Sequence, residues 1–532
     1  METINFWADQ LAKKVIERSK KENIIPNIKC QQTPSGGKHI GNLNDVARAF
    51  FVYKSLIEQK QECTFVHTSD DRDPMKEVPK KIMDLKGKWH DSKIFDFDKY
   101  MGMPYCRIPD PFKCCNSWSE HFTKVWIHGV NELGMNPKLY SVDQLYREGK
   151  FEQYIIEIFK NIKEASKIVS EFQQTKKENY IPFDAICPKC GRYANIDSFD
   201  LKKKTVHFKC LGKMIKEKIA EGCGFEGEVS FSEGKLQWRF EWPALMCIFN
   251  TTYEPMGKDH WEGSWKSLVE IMNRIFKKEP PIPFVYEFFL VDGKKMSASK
   301  GDVFVVEDML KIIEPEILLF FYVKRPEKQR DLELNRIFQL VDEFDFAEKV
   351  YFDIEKARSE NREENYKRMY ELCMHKIPKK CPKRIDYKFL ATLSQLFDKE
   401  TIIKKLKELG HLENVNESDL ELIKKRIDLA HNWVNKYAPD EMKFEIQSEI
   451  NTKFNDKEEK ALKLFAKRLE NKYTEEKLAE EIYNISKESD IEPKEFFKIC
   501  YRLLINKEKG PRLASFILTI GREKVIEMIK KI

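Results

Sequence analysis

TPSGGKHIGN occupies residues 33–42, and its reading decides the fold. It follows the apolar run IIPNIKCQQ (24–32) and precedes LNDVARAFFVYKSLIEQ (43–59), whose apolar residues recur at helical spacing. CTFVHTSDD (63–71) then predicts a second strand ending in carboxylates. Strand, glycine turn, helix, strand is the opening of a doubly wound nucleotide-binding sheet, in which ligands sit beyond the carboxyl ends of the strands. Gly36, Gly37 and Gly41 let the backbone approach a ligand closely, and the following helix aims its first N–H groups at an anion. His39 lies on that edge and can donate to a phosphate oxygen. Taken alone, the stretch is equally compatible with a structural turn.

The 532 residues are too many for one core. Composition is that of a globular chain, 42% hydrophobic and 12% aromatic, and a net charge of +7 permits a polyanionic partner without demanding one. The start, METINFWADQLAKKVIERSK, lacks the apolar region of a signal peptide, and no apolar run is long enough to span a bilayer. A cytoplasmic protein with no membrane partner is therefore expected. Thirteen Cys, mostly scattered, read as reduced thiols. After about residue 87 the rhythm of the sheet breaks into an insertion. Apolar runs resume at WPALMCIFN (242–250) and FVYEFFLVDG (284–293), expected to complete the sheet, and beyond 305 the spacing is helical.

Three further stretches offer chemistry. DGKKMSASKGD (292–302) supplies Lys294, Lys295 and Lys300 on a glycine-flanked loop that can close on a triphosphate. CPKCG (187–191) with Cys210 and Cys223 supplies four soft thiolates, and Cys187, Cys190, Cys210 and Cys223 suit a structural Zn²⁺ with His207 as a reserve ligand. In EPMGKDH (254–260), Gly257 allows close approach, Asp259 can accept from a hydroxyl or ammonium, and His260 can donate or accept. The run Asp70-Asp71-Arg72-Asp73 ends the second strand; it could pair a substrate ammonium or pair with Arg72 and Lys76 on the surface.

HIGN near the start with KMSAS about 250 residues later resembles the paired signature of class I aminoacyl-tRNA synthetases. HTSDDRDPMKEVP (67–79), DKYMGMP (98–104), CCNSWSEHF (114–122), WRFEWPALM (238–246), EPMGKDH and KEFFKICYRLLINKEKGPRLASF (494–516) resemble, in that order, the class I (archaeal-type) lysyl-tRNA synthetases. The resemblance implies a Rossmann-type parallel-sheet catalytic domain in two halves (1–86 and 236–305). A connective insertion (87–235) would carry a zinc ribbon at about 184–230. A helical stem-contact region (306–360) and an α-helical anticodon-binding cage (361–532) would follow. The family's ribbon has a tighter second Cys pair, so the twelve residues between Cys210 and Cys223 are expected to form an inserted helix.

The resemblance further implies ATP-dependent attachment of lysine to tRNA through a lysyl-adenylate, with Mg²⁺ on the phosphates. His39 and Asn42 would hold phosphates, Lys295 would clamp pyrophosphate, and Ser297 and Ser299 would shape the loop. Gly36, Gly37, Gly41, Gly257, Asp259 and Met296 would line the ATP site. Thr33, Asp70, Trp238 and His260 would contact lysine. The chain departs from the family pattern at Gln31 (Gly expected), Arg72 (an aromatic), Glu241 (Asp) and Leu245 (Arg), all near the amino-acid pocket. A class I synthetase for another amino acid and a tRNA-binding paralogue without charging activity are the rival readings. The intact His39, Gly41, Lys295 and Asp259 count against the second. Oligomeric state is open, with a monomer favoured.

Overall fold

The computed structural model describes residues 6–172, 180–215, 218–296, 304–324, 327–450 and 452–532. Ser297 and Ser299 lie outside them. The chain divides into two compact units, one formed by residues up to 309 with 318–332 and 356–377, the other by 310–317, 333–355 and 378–532. Among the described residues no helix is long and apolar enough to cross a membrane.

The first unit is built on five parallel strands, β1 (Asn27–Gln32), β2 (Thr64–Ser69), β3 (Lys138–Ser141), β4 (Thr251–Gly257) and β5 (Ile282–Tyr286). Their spatial order is β5-β4-β1-β2-β3. β1 is central and enclosed on both faces, with Ile28 and Cys30 buried on one and Lys29 on the other. It pairs with β2 from Asn27↔Thr64 to Gln32↔Ser69 and with β4 from Asn27↔Thr251. Helix α1 (Trp7–Glu22) ends at Asn23, whose left-handed φ of 52° closes it before β1. Helix α2 (Leu43–Glu58) buries Leu43, Val46, Ala47, Phe51, Val52 and Leu56 on one face, as its spacing predicts. The strand order reverses between β1 and β4, so the connections leaving those strands diverge and open a crevice at their carboxyl ends.

Two expectations are corrected here. WPALMCI is not a strand: it lies in helix α4 (Trp238–Ile248), and the returning strand is β4, which follows it. Pro243 sits inside α4, past its first turn, where it removes the N–H that would bond the Arg239 carbonyl. The segment between Cys210 and Cys223 is not a helix either. It contains the strands Gly212–Ile215 and Lys218–Glu221, paired antiparallel. With Leu211, Met214 and Ile219 exposed, this short ribbon has no apolar face to bury, so a 3.6-residue periodicity has nothing to pack against. The surrounding ribbon is a five-stranded antiparallel sheet that uses Phe183–Ile186, Tyr193–Asp200, Thr205–Lys209, Glu226–Ser230 and Gly234–Leu236.

The second unit is helical, as its spacing predicts. Asp456–Leu469, Glu475–Glu488, Pro493–Ile505, Leu513–Ile520 and Arg522–Ile529 enclose Leu462, Phe465, Leu469, Ile482, Phe496, Leu504 and Phe516. Phe496 and Tyr501 are core residues, so neither is available to stack on a base. Elsewhere in this unit Arg426, almost wholly buried, donates to Glu314 at 2.7 Å and to both oxygens of Asp345 at 2.6 and 3.0 Å. Arg384 forks onto Glu348 at 2.5 and 3.0 Å. Truncating one member of such a pair strands the others in low dielectric. Arg426→Ala should therefore cost about 3–5 kcal/mol, seen as an earlier transition in denaturant melts followed by circular dichroism. An unmoved transition contradicts this account.

Candidate functional site

The crevice is walled by the turn after β1, the acidic run after β2, the start of α4 and the end of β4. In the turn, a Cβ on Gly37 would lie 2.7 Å from the Trp89 ring, and one on Gly41 would lie 2.7 Å from His39 Nδ1 and 3.4 Å from Met296 Cε. No side chain fits at either glycine, so His39 and Met296 converge over bare backbone at Gly41. Gly36 has φ of +135°, a conformation that L side chains rarely adopt. Burial, then the neighbouring Lys38, lowers the His39 pKa to about 4. The imidazole is thus neutral at physiological pH and can donate one N–H to a phosphate. Lys38, pulled down to about 8 by burial, donates to Ser35 at 3.0 Å and lies in the field of Asp73 and Asp70.

Several buried polar atoms at this edge have no hydrogen-bond partner: His39 Nδ1, Asn42 Oδ1, Asp70 Oδ1 and both amide atoms of Gln32. Desolvating such atoms costs free energy that nothing among the described residues offsets, which makes this edge a candidate ligand position. Asp70 is the sharpest case. Its carboxyl is pushed well above the usual range by burial and then by Asp73.

Asp73 behaves oppositely. Burial raises it, but Lys235, Lys76 and a 2.7 Å hydrogen bond from the Thr33 hydroxyl pull it below its usual value. Lys235, itself buried, lies 3.3 Å from Asp73 and pairs tightly with Glu241, which also accepts from Tyr146 at 2.9 Å. Thr33 and Asp70 are thus brought to one place, linked through Asp73 and Lys235.

The opposite wall is aromatic. Trp238 stacks on Trp242 with centroids 5.2 Å apart, and His260 lies 5.9 and 5.5 Å from the two rings. Trp242 donates to Glu254 at 2.7 Å, and Glu254 pairs with the fully buried Lys29 at 3.3 Å. Beyond β4, a Cβ on Gly257 would lie 2.6 Å from Asp259 Oδ1, so glycine alone lets that carboxylate fold back over the strand end. Asp45, pushed up to about 7 by burial, accepts from Tyr286 at 2.6 Å. Lys295 is exposed and lies over the Phe288 ring at 4.4 Å, outside direct contact with the turn.

The departures at the pocket each find a partner. Lys29 donates to Gln31 at 2.6 Å, tying that side chain back to its own strand. Arg72 is buried against Asp143 at 2.8 Å and the Tyr146 ring at 4.5 Å, so the acidic run does not pair on the surface. Leu245 is enclosed in the core.

Two groups of donors could hold a metal. Cys187, Cys190, Cys210 and Cys223 present sulfurs all within 4.8 Å of one another, with Cys187–Cys223 and Cys190–Cys210 each at 3.6 Å. Tetrahedral zinc with Zn–S of about 2.3 Å sets neighbouring sulfurs about 3.8 Å apart, so the set fits. His207 is not among them; it is partly exposed and pairs with Asp197 at 2.8 Å. The second group, Asp110, Cys114, Cys115 and His121, also converges within 4.8 Å. Sequence reading quoted CCNSWSEHF without noticing that Asp110 extends it to a D-x3-C-C-x5-H set of ligand types. Asp73 and Lys235 were also missed, because a buried ion pair between residues so far apart leaves no local pattern.

A family model described as "tRNA synthetases class I (K)" matches residues 5–376, and one described as "Anticodon binding domain" matches 386–532. The lysine–tRNA ligase of Haloarcula marismortui is 34% identical, covering 99% of this chain and 97% of its own. Those of Pyrococcus horikoshii and Methanocaldococcus jannaschii are each 33% identical over 98% of this chain, covering 99% and 98% of their own lengths. The sheet reversal, the glycine turn and the full-length similarity agree, and the chain belongs to the class I (K) tRNA synthetase family.

Proposed function

We propose that the protein attaches lysine to tRNA(Lys) in two steps, as its family and full-length relatives support. A lysine carboxylate oxygen attacks the α-phosphorus of ATP, the bond from that phosphorus to the β-phosphate oxygen breaks, and lysyl-adenylate and pyrophosphate form. The 2′-hydroxyl of the terminal tRNA adenosine then attacks the carbonyl carbon and AMP departs. Little covalent chemistry falls to the protein, so positioning and charge stabilisation dominate. The carrying observation is the set of orphaned polar atoms on His39, Asn42 and Asp70 at the switch point of the sheet.

In this reading His39 and Asn42 donate to phosphate oxygens over Gly36, Gly37, Gly41 and Met296, while Gly257 and Asp259 receive the ribose. Mg²⁺ enters with ATP. Lys295 swings from Phe288 to the departing pyrophosphate, on a loop whose Ser297 and Ser299 complete the signature. Thr33, Trp238 and His260 bound the amino acid, and Asp70 receives an ammonium. Zn²⁺ bound by Cys187, Cys190, Cys210 and Cys223 would fasten the ribbon, since four thiolates leave no open coordination position. The helical unit binds tRNA, in the cytoplasm.

With tRNA present, ATP–pyrophosphate exchange over a panel of amino acids should respond to lysine; exchange supported by another amino acid and not by lysine overturns the assignment. Lys295→Ala should lower exchange by about 10²–10³, and undiminished exchange removes it from the pyrophosphate site.

Asp70 gives a pH test. Its raised pKa keeps it protonated until pH rises through that value, whereas a bound ammonium favours the ionised form. The KM for lysine should therefore fall as pH rises through the raised pKa of that carboxyl. Asp70→Asn should raise that KM by about thirtyfold or more and abolish the slope. A slope that persists in Asp70→Asn assigns it to another group.

A further inference from the structure

The first step of the proposed reaction brings two anions together, the lysine carboxylate and the α-phosphate of ATP. Their repulsion must be offset where they meet. The groups assigned above leave that charge unsupplied. His39 is neutral at physiological pH, and Asn42 carries no charge. Lys29 is paired with Glu254 at 3.3 Å, Lys235 with Asp73 at 3.3 Å and with Glu241, and Arg72 with Asp143 at 2.8 Å. Lys295 lies over the Phe288 ring, outside direct contact with the turn.

Lys38 differs from all of these. It immediately precedes His39, and its Nζ donates to Ser35 Oγ at 3.0 Å, its one hydrogen-bond partner among the described residues. Two of its three N–H donors are therefore unused. Asp73 and Asp70 act on it through their field, and its own field reaches His39 and His67. Lys38 thus stands between the phosphate side of the crevice and its amino-acid side. Burial lowers its pKa to about 8, which leaves the ammonium charged at neutral pH.

The backbone around its anchor is fixed from both directions. The Ser35 N–H donates to the Thr33 carbonyl at 2.8 Å, and the Thr33 hydroxyl donates to Asp73 at 2.7 Å. Trp118, fully buried at the start of helix α3 (Trp118–Glu132), donates from Nε1 to the Pro34 carbonyl at 2.9 Å. Ser35 is thereby held in place, and a lysine tethered to it loses less rotamer freedom on meeting a substrate.

We propose that Lys38 is a catalytic residue of the first step, its ammonium donating one hydrogen bond to the lysine carboxylate and one to a non-bridging α-phosphate oxygen. It offsets the repulsion between the two anions as the carboxylate oxygen bonds to phosphorus. This rests on reading the site as the place where lysine is adenylated. No proton leaves Lys38; the electron pair of the breaking P–O bond departs with pyrophosphate, and the ammonium is a fixed charge throughout. Lys38 and Lys295 then divide the work, one on the nucleophile and the phosphorus, the other on the leaving group.

The test compares the full-length wild type with Lys38→Met, which keeps an unbranched stem and removes the charge. With tRNA present, kcat and lysine KM are measured by ATP–pyrophosphate exchange. The inhibition constant of lysinol, which carries a hydroxymethyl group in place of the carboxylate, is measured in the same assay. Lys38→Met should lower kcat by about 10²–10³ and raise lysine KM about tenfold. The lysinol constant should stay at its wild-type value, because lysinol has no carboxylate for Lys38 to meet. Undiminished kcat in Lys38→Met overturns the proposal. A lysinol constant that worsens in step with lysine KM also overturns it, since the substitution then acts on the shape of the pocket rather than on the carboxylate. Wild-type exchange that lysine does not support overturns the reading of the reaction itself, whatever Lys38→Met does.

Discussion

Lys235 and Asp73 lie 3.3 Å apart in a setting from which water is almost wholly excluded, and the order of the pocket depends on how that charge is compensated. Asp73 needs Lys235 and the Thr33 hydroxyl, Lys235 needs Glu241, and Glu241 needs Tyr146. Among the described residues Asp70 Oδ1 has no partner, and burial, then Asp73, raises the pKa of that carboxyl. A buried carboxyl with an unpartnered oxygen is the group whose desolvation a ligand ammonium would offset in the proposed reaction. The sheet makes this possible, since reversing strand order between β1 and β4 opens an edge at which a buried charge can meet a ligand.

The same edge explains why the two halves of the turn behave differently. The portion from Ile40 onward is fixed by the helix Pro315–Val323: Ile40 is buried, and its carbonyl accepts from Tyr322 at 2.5 Å. The portion from Pro34 to Gly37 is held from outside by Trp118 and Trp89, both supplied by the segment inserted between β2 and β3. The insertion is thus part of the scaffold of the glycine turn as well as an appendage to it.

Much of this was legible in the chain. The strand–turn–helix–strand opening, the paired HIGN and KMSAS signatures and the four-cysteine ribbon are local patterns; the structure has the opening elements in that order and brings the four cysteines together. What was illegible is non-local or depends on context. WPALMCI has the same apolar content whether helix or strand, and only its packing as α4 beside the aromatic wall decides. The insertion between Cys210 and Cys223 suggests a helix only because it widens the Cys pair, yet it pairs as a hairpin. Gln31 stood out as a bulky intruder at the amino-acid pocket; Lys29, two residues back on the same strand, shows where its amide is tied. Arg72 stood out likewise, and its partners Asp143 and Tyr146 come from another element altogether.

The central claim is that Asp70 is the missing half of an ion pair completed by the substrate lysine. A crystal structure with a non-hydrolysable lysyl-adenylate analogue tests it most directly. The account predicts a lysyl ammonium within hydrogen-bond distance of Asp70, its phosphate on His39 and its ribose beside Gly257 and Asp259. An ammonium seated elsewhere, with Asp70 still unpartnered, would contradict it.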